Sequence, residues 1–294
     1  MSVKRRRGDR KDGAWLKDLD AMHMMLPYIL PNRCDNEAYV SEEIDLTAVN
    51  SYLEKKNAEN PKYNYSLFQV IVTAAMKTFI MRPQLNRFII GKRVYQRNDY
   101  SAAFVVKKAF NDESEEAVAI VNFENDSSIE WFNKKLYDTV NSARNTDEID
   151  EGTKTMNVLR KCPRFMIYLV VKCINLLNYF GKVPDSITKG DFTYSTCMFT
   201  NLGSLGLNSG YHHLYSWGTN SNFVVIGKKN VSYSLDKNGE TKRHETVEMG
   251  LTTDERISDG YYYSKSLKLF RYLMNHPEEL EKPMTGETEH DWRK

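Results

Sequence analysis

Two short segments hold most of the residues that could do chemistry. Phe199-Thr200-Asn201-Leu202-Gly203-Ser204-Leu205-Gly206 offers two hydroxyls at the end of a strand-like run. Asp254-Glu255-Arg256-Ile257-Ser258-Asp259-Gly260 sets three carboxylates and an arginine between a strand-like run and a helical one. A carboxylate can exchange a proton with a substrate, and a hydroxyl can donate a hydrogen bond. The familiar signatures GxxxxGK[ST], GxGxxG, HExxH and GxSxG are missing. Of the histidines at 23, 212, 213, 244, 276 and 290, only His212 and His213 adjoin. Adjacent strand residues face opposite ways, so no metal site is expected. Cys34, Cys162, Cys173 and Cys197 form no CxxC pair and read as reduced thiols of a cytoplasmic protein.

The second segment resembles the D-H-R-x-x-D-G signature of the acyltransferase subunits of 2-oxoacid dehydrogenase complexes. Related chloramphenicol acetyltransferases carry H-x-x-x-D-G at that point. The first segment is similar to the F-T-x-[ST]-N-L-G strand of those subunits. Upstream, Glu43-Ile44-Asp45-Leu46-Thr47 and Arg82-Pro83-Gln84-Leu85-Asn86 resemble the family's E-x-D-[LV]-T and A-x-x-x-x-P-x-L-N. The four blocks stand in order across residues 33–280.

The resemblance implies a chloramphenicol acetyltransferase-like α+β fold and a homotrimer with its active sites at subunit interfaces. It also implies coenzyme A or acyl-CoA as substrate, entering opposite the acyl acceptor. Carried over residue by residue, Thr200 would donate a hydrogen bond to the tetrahedral oxyanion, with Ser204 as the rival hydroxyl. Asp259 would be a structural acid, and Gly260 would permit a tight strand-to-helix turn. Asn201, Gly203 and Arg256 complete the motif positions.

The main departure is Glu255, which stands where the family has its proton-accepting histidine. At its reference pKa of about 4.3 a carboxylate is a weaker base than imidazole, and burial can raise it by several units. The other reading pairs Glu255 with Arg256 or another arginine and leaves it no chemistry. His212 or His213 could supply a base in trans; otherwise Tyr211 to Tyr215 is an aromatic interface loop. With no lipoyl or subunit-binding module ahead of the blocks and no lipoyl group, the expected activity is that of a stand-alone CoA-dependent acyltransferase. Its acceptor would be a small-molecule hydroxyl, thiol or amine. The alternative is a catalytically degenerate trimeric binding or scaffold protein of the same fold.

Charge and composition narrow the setting. The 294 residues carry 41 Lys+Arg and 39 Asp+Glu, a net +2. Residues 4–11 alone carry +5, which leaves −3 for the rest. A mildly acidic body argues against a nucleic-acid platform, and residues 1–20 read as a basic flexible tail. Tail-driven binding to nucleic acid or an anionic membrane is the lesser reading. A 41% hydrophobic, 27% charged composition is ordinary for a globular protein, so residues 21–294 read as one domain. No apolar run approaches the roughly 20 residues of a membrane span, and no secretory signal is visible, so a cytoplasmic location is expected.

The elements that must position these residues follow from periodicity. Ala38 to Leu46 reads as a strand, and Thr47 opens a helix. Asn64 or Ser66 caps a helix from Leu67 to Met81, which Pro83 ends. Strands are expected at Arg93 to Tyr95, Tyr100 to Lys107 and Ala117 to Phe123, with Asp112 to Glu116 as a hairpin turn. Ser127 or Ser128 caps a helix from Ile129 to Arg144. Another helix, from Pro163 to Phe180, is apolar on nearly all sides; burial against the core or a subunit interface is expected, with membrane-surface docking as the other reading. Phe192 to Thr200 and Asn222 to Gly227 read as strands. Val231 to Leu235 and Thr241 to Leu251 form a hairpin closed by Asp236-Lys237-Asn238-Gly239, and a last helix runs from Tyr261 to Asn275. This is an α+β pattern: a long mixed or antiparallel sheet packed with helices.

Overall fold

The computed structural model describes residues 6–107, 116–145, 160–188, 190–235, 237–286, 288 and 292. Nine strands and seven helices are described, apart from short 3-10 turns. The strands are β1 (Gly13–Trp15), β2 (Glu37–Asp45), β3 (Arg87–Ile90), β4 (Arg93–Arg97), β5 (Tyr100–Lys107), β6 (Glu116–Phe123), β7 (Cys197–Asn201), β8 (Asn222–Leu235) and β9 (Thr241–Asp254). The helices are α1 (Ala21–Ile29), α2 (Thr47–Ala58), α3 (Leu67–Met81), α4 (Ile129–Asn145), α5 (Arg164–Tyr179), α6 (Asp185–Thr188) and α7 (Gly260–Asn275).

The main sheet has six strands in the order β2-β9-β8-β7-β5-β6, and a small sheet is ordered β1-β4-β3. β7 runs parallel to both β5 and β8, while every other pair is antiparallel. This is the expected α+β architecture, with a mixed six-stranded sheet. One face of the sheet packs on α3 and α7 through Phe199, Val224, Ile226, Leu251, Ile71 and Phe270. The opposite face carries a smaller cluster of Met198, Phe223, Val225 and Leu214. Strand alternation produces this split, since Met198 and Phe199 point to opposite faces.

Local chemistry sets several boundaries. The Asp45 carboxylate accepts the Thr47 amide at 2.8 Å and starts α2. Ser66 and Gln69 form a capping box at the start of α3, and Pro83 follows its end. Twelve α3 residues are buried, including Lys77, whose Nζ donates to the carbonyls of Glu279 at 2.7 Å and Pro283 at 3.1 Å.

Some expectations require correction. The segment 1–20 does not stand off the fold as a solvated tail over its described part. β1 pairs with β4, and Arg10 is buried. Its guanidinium grips Asp12 at 2.7 and 2.9 Å, donates to the Asn178 carbonyl and lies over the Phe88 and Tyr95 rings. A charge is buried there because it is paired and fully bonded.

Phe192 to Thr200 is not one strand. Asp191 accepts the Thr193 amide and hydroxyl and holds Phe192–Tyr194 in a 3-10 turn, so β7 starts only at Cys197. The two strand runs after Asn222 are one strand with an irregularity between Ile226 and Lys229. α5 is not buried in the core: Asn178 is its one buried residue. The β5–β6 turn expected at Asp112–Glu116 lies mostly outside the described residues, as does Asp236 of the β8–β9 turn. No helix among the described residues is long and apolar enough to cross a membrane.

Candidate active site

β7 lies inside the sheet, with Thr200 in register with Val225 of β8 and Val225 in register with Gly250 of β9. Thr200 is half-buried, and its hydroxyl has no hydrogen-bond partner among the described residues. It lines an open cleft of about 440 Å³ with Ser66, Gln69, Phe104, Tyr137 and Leu205. Just beyond it the chain locks itself. The Asn201 side chain accepts the Ser204 amide at 3.2 Å, and the Ser204 hydroxyl donates to the Asn201 carbonyl at 2.7 Å. The Ser204 proton is therefore engaged, and Thr200 is the hydroxyl left able to donate into the cleft.

Gly203 is required by packing, because a Cβ there would sit 2.4 Å from the Gly227 carbonyl oxygen. The following loop then crosses the sheet. A Cβ on Gly250 would lie 1.8 Å from the Gly210 carbonyl oxygen. Farther on, Leu214 N and His213 Nδ1 reach Glu37 at 2.5 and 2.9 Å. The His212 ring stacks on Phe223 at 4.2 Å, and its Nδ1 bonds to the His213 carbonyl. Both histidines belong to a loop that caps the sheet face.

The second segment follows β9. Asp254 and Arg256 are fully buried and meet in a bidentate pair, both contacts 2.7 Å. Arg256 also donates to the Leu30 carbonyl at 2.7 Å. Arg33 approaches Asp254 at 4.0 Å and donates to the Tyr215 and Gly218 carbonyls. Burial works against the Arg33 cation, and Asp254 offsets that cost. This cluster ties β9, the chain after α1 and the sheet-capping loop together.

Arg256 is thus not the partner of Glu255. Glu255 is exposed and makes no side-chain hydrogen bond or ion pair among the described residues. Asp259 caps α7, accepting the Tyr262 amide at 2.7 Å. Gly260 has open space around its Cα and no left-handed backbone, so the cap makes the turn and no steric demand for glycine exists within one chain. Arg33 and Asp254 as partners, and Glu37 as the loop anchor, escaped the sequence reading because no local spacing links them.

Thr200 and Glu255 do not meet within one chain. β9 runs against β8, so Asp254, its last residue, lies at the end of the sheet where β7 begins, while Thr200 sits near the end of β7. Four residues of strand rise and two strand spacings put roughly 16 Å between the Cα atoms of Thr200 and Asp254.

No family model and no curated protein matches the sequence. The structure does have solved counterparts. The probable dihydrolipoamide acetyltransferase of Listeria monocytogenes superposes with a TM-score of 0.58 at 14% identity, over 87% of this chain and 89% of that one. The fold is that of a 2-oxoacid dehydrogenase acyltransferase catalytic domain. The dihydrolipoamide acetyltransferase of Azotobacter vinelandii matches at a TM-score of 0.57 and 11% identity, covering 91% and 94%. The cubic core of a pyruvate dehydrogenase multienzyme complex matches at 0.51 and 10%, also covering 91% and 94%. The fold is thus shared with these proteins at 10–14% identity.

Proposed function

We propose that this acyltransferase-fold protein is a CoA-dependent acyltransferase acting on a small-molecule hydroxyl, thiol or amine, with each site built between two copies. One observation carries the reading. The Thr200 hydroxyl is unbonded and faces an open cleft, while Glu255 stands unpaired one residue past β9, two strands across the sheet from Thr200. The two are useful together only if Glu255 of one copy meets Thr200 of another, as in the homotrimer that the family resemblance implies.

In that arrangement the Glu255 carboxylate takes the acceptor's proton as its heteroatom attacks the thioester carbonyl. Thr200 donates to the oxyanion that forms. Collapse breaks the C–S bond, and the departing CoA thiolate recovers the proton. Burial between copies would favour the protonated form of a carboxylate and so strengthen it as a base. Asp259 and the Asp254–Arg256–Arg33 cluster hold the segment in place and do not touch the reacting atoms.

The test incubates the assembled protein with a panel of acyl-CoA donors and thiol, alcohol and amine acceptors while following CoA thiol release. Turnover is expected, with a loss of about 100-fold or more in kcat for Thr200→Val and near-complete loss for Glu255→Gln. Absence of thiol release across the panel overturns the proposal. A second reading, an acyl-CoA-binding scaffold of the same fold, is favoured by the histidine-to-glutamate exchange. Tight acyl-CoA binding without turnover, unchanged by Glu255→Gln, would establish it.

A further inference from the structure

We propose that α5, together with the adjoining end of α1, is a docking face for an anionic lipid surface. α5 is apolar on nearly every side yet lies open to water. Phe165 is 72% exposed, Tyr168 65%, Leu169 60% and Leu176 61%. A helix apolar all round, left uncovered, marks an interaction site. At 16 residues it is about 24 Å long, short of what spanning a bilayer requires, so it would lie in the surface and not cross it.

The face extends beyond α5. The β3–β4 turn bridges the two helices: a Cβ on Gly91 would lie 2.9 Å from the Tyr179 ring, and Lys92 Nζ sits 5.2 Å from the centre of the Tyr28 ring of α1. α1 adds exposed Met22, Tyr28 and Ile29. The β3–β4 turn therefore lies against both helices.

Charge selects the occupant. Residues 160–184 carry Arg160, Lys161, Arg164, Lys172 and Lys182 and no acidic residue. Residues 87–97 carry Arg87, Lys92, Arg93 and Arg97, and again no acid, and residues 21–33 have none either. Seven of these cations are exposed: Arg160, Lys161, Arg164, Lys172, Lys182, Lys92 and Arg93. The rest of the chain beyond 87–97 and 160–184 sums to −7, so the positive charge is concentrated where the apolar side chains are exposed. A second copy presenting the same face would set cation against cation. An anionic bilayer accepts both features: its acyl region takes the aromatic and aliphatic side chains, and its headgroups take the lysines and arginines.

Flotation of the full chain with phosphatidylcholine vesicles, with and without phosphatidylglycerol, tests the proposal, alongside sedimentation velocity for the oligomeric state. The expected result is flotation with the anionic vesicles only, weakened by salt. Leu169→Ser combined with Phe165→Ser, and separately Arg164→Glu combined with Lys172→Glu, should each weaken it at least 10-fold while the sedimentation coefficient stays as in the unaltered protein. Circular dichroism confirms that both variants fold. Failure to float with either vesicle, or equal flotation with neutral ones, overturns the proposal. So does a Leu169/Phe165 variant that dissociates the assembly, since the face would then be an interface between copies. None of these readouts depends on acyl transfer, so the two proposals stand or fall separately.

Discussion

α3 and α5 are near twins in sequence character and opposites in the structure. Both are apolar helices of about four turns, 15 and 16 residues, with one lysine in each. Twelve residues of α3 are buried, but only Asn178 of α5. α3 lies against α4, α7 and β5 of the main sheet, so only Leu67, Phe68 and Met81 at its ends are partly exposed. α5 is held mainly at its C-terminal end, where Arg10 and Lys11 donate to the carbonyls of Asn178 and Val183. Helical period and apolarity therefore report that a helix needs a cover. They do not say whether the cover is its own chain.

The comparison can be broken most forcefully in α3. Ile71→Ala removes a fully buried side chain and should cost about 2–5 kcal/mol in chemical denaturation. A loss below 1 kcal/mol would mean that the α3 core is loosely packed. Arg10→Ala addresses the attachment of α5. Losing the buried cation should cost roughly 1.5–3 kcal/mol, and amide exchange should quicken first in the last turn of α5. Unchanged exchange there would show that α5 is held elsewhere.

Lys77 sharpens the contrast through pH. Burial pushes its pKa down from 10.5 to about 8, so its charge opposes folding at neutral pH. Below pH 8 that penalty is fully present. Between pH 8 and 10 the unfolded chain binds the extra proton, and the Lys77 contribution to stability should rise by about 2 kcal/mol, opposed by the buried Cys197 thiol, whose pKa burial raises. The tyrosines raised by burial, Tyr194 among them at about 12, act only above pH 10. In Lys77→Met the rise should vanish from the pH dependence of the denaturation midpoint; a rise of the same size would assign it to another group. The smallest effect belongs to α5. Leu169→Ser should change the stability of the isolated chain by no more than about 0.5 kcal/mol, because the side chain is already in water.

Much of this protein was legible in its residues because the deciding interactions are short in sequence. The period and a cap at Asn64 or Ser66 placed α3, and alternation placed β2. Asp259 was expected to be a structural acid from the resemblance alone; its cap on α7 acts across three residues. Thr200 stood out for the motif around it, and the Asn201–Ser204 lock that singles out its hydroxyl is equally local.

What only the tertiary structure decided depends on segments distant in the chain. Arg10 looked like part of a solvated run until β1 paired with β4 and Asn178 came within its reach. Arg256 could have served Glu255, but burial beside Asp254 and Leu30 committed it elsewhere. Strand order, which no local pattern specifies, put two strand spacings and four residues of rise between Thr200 and Asp254, the residue before Glu255. The exposure of α5 is of the same kind, since side chains one to four positions apart set a helix while its cover comes from chain far away in sequence.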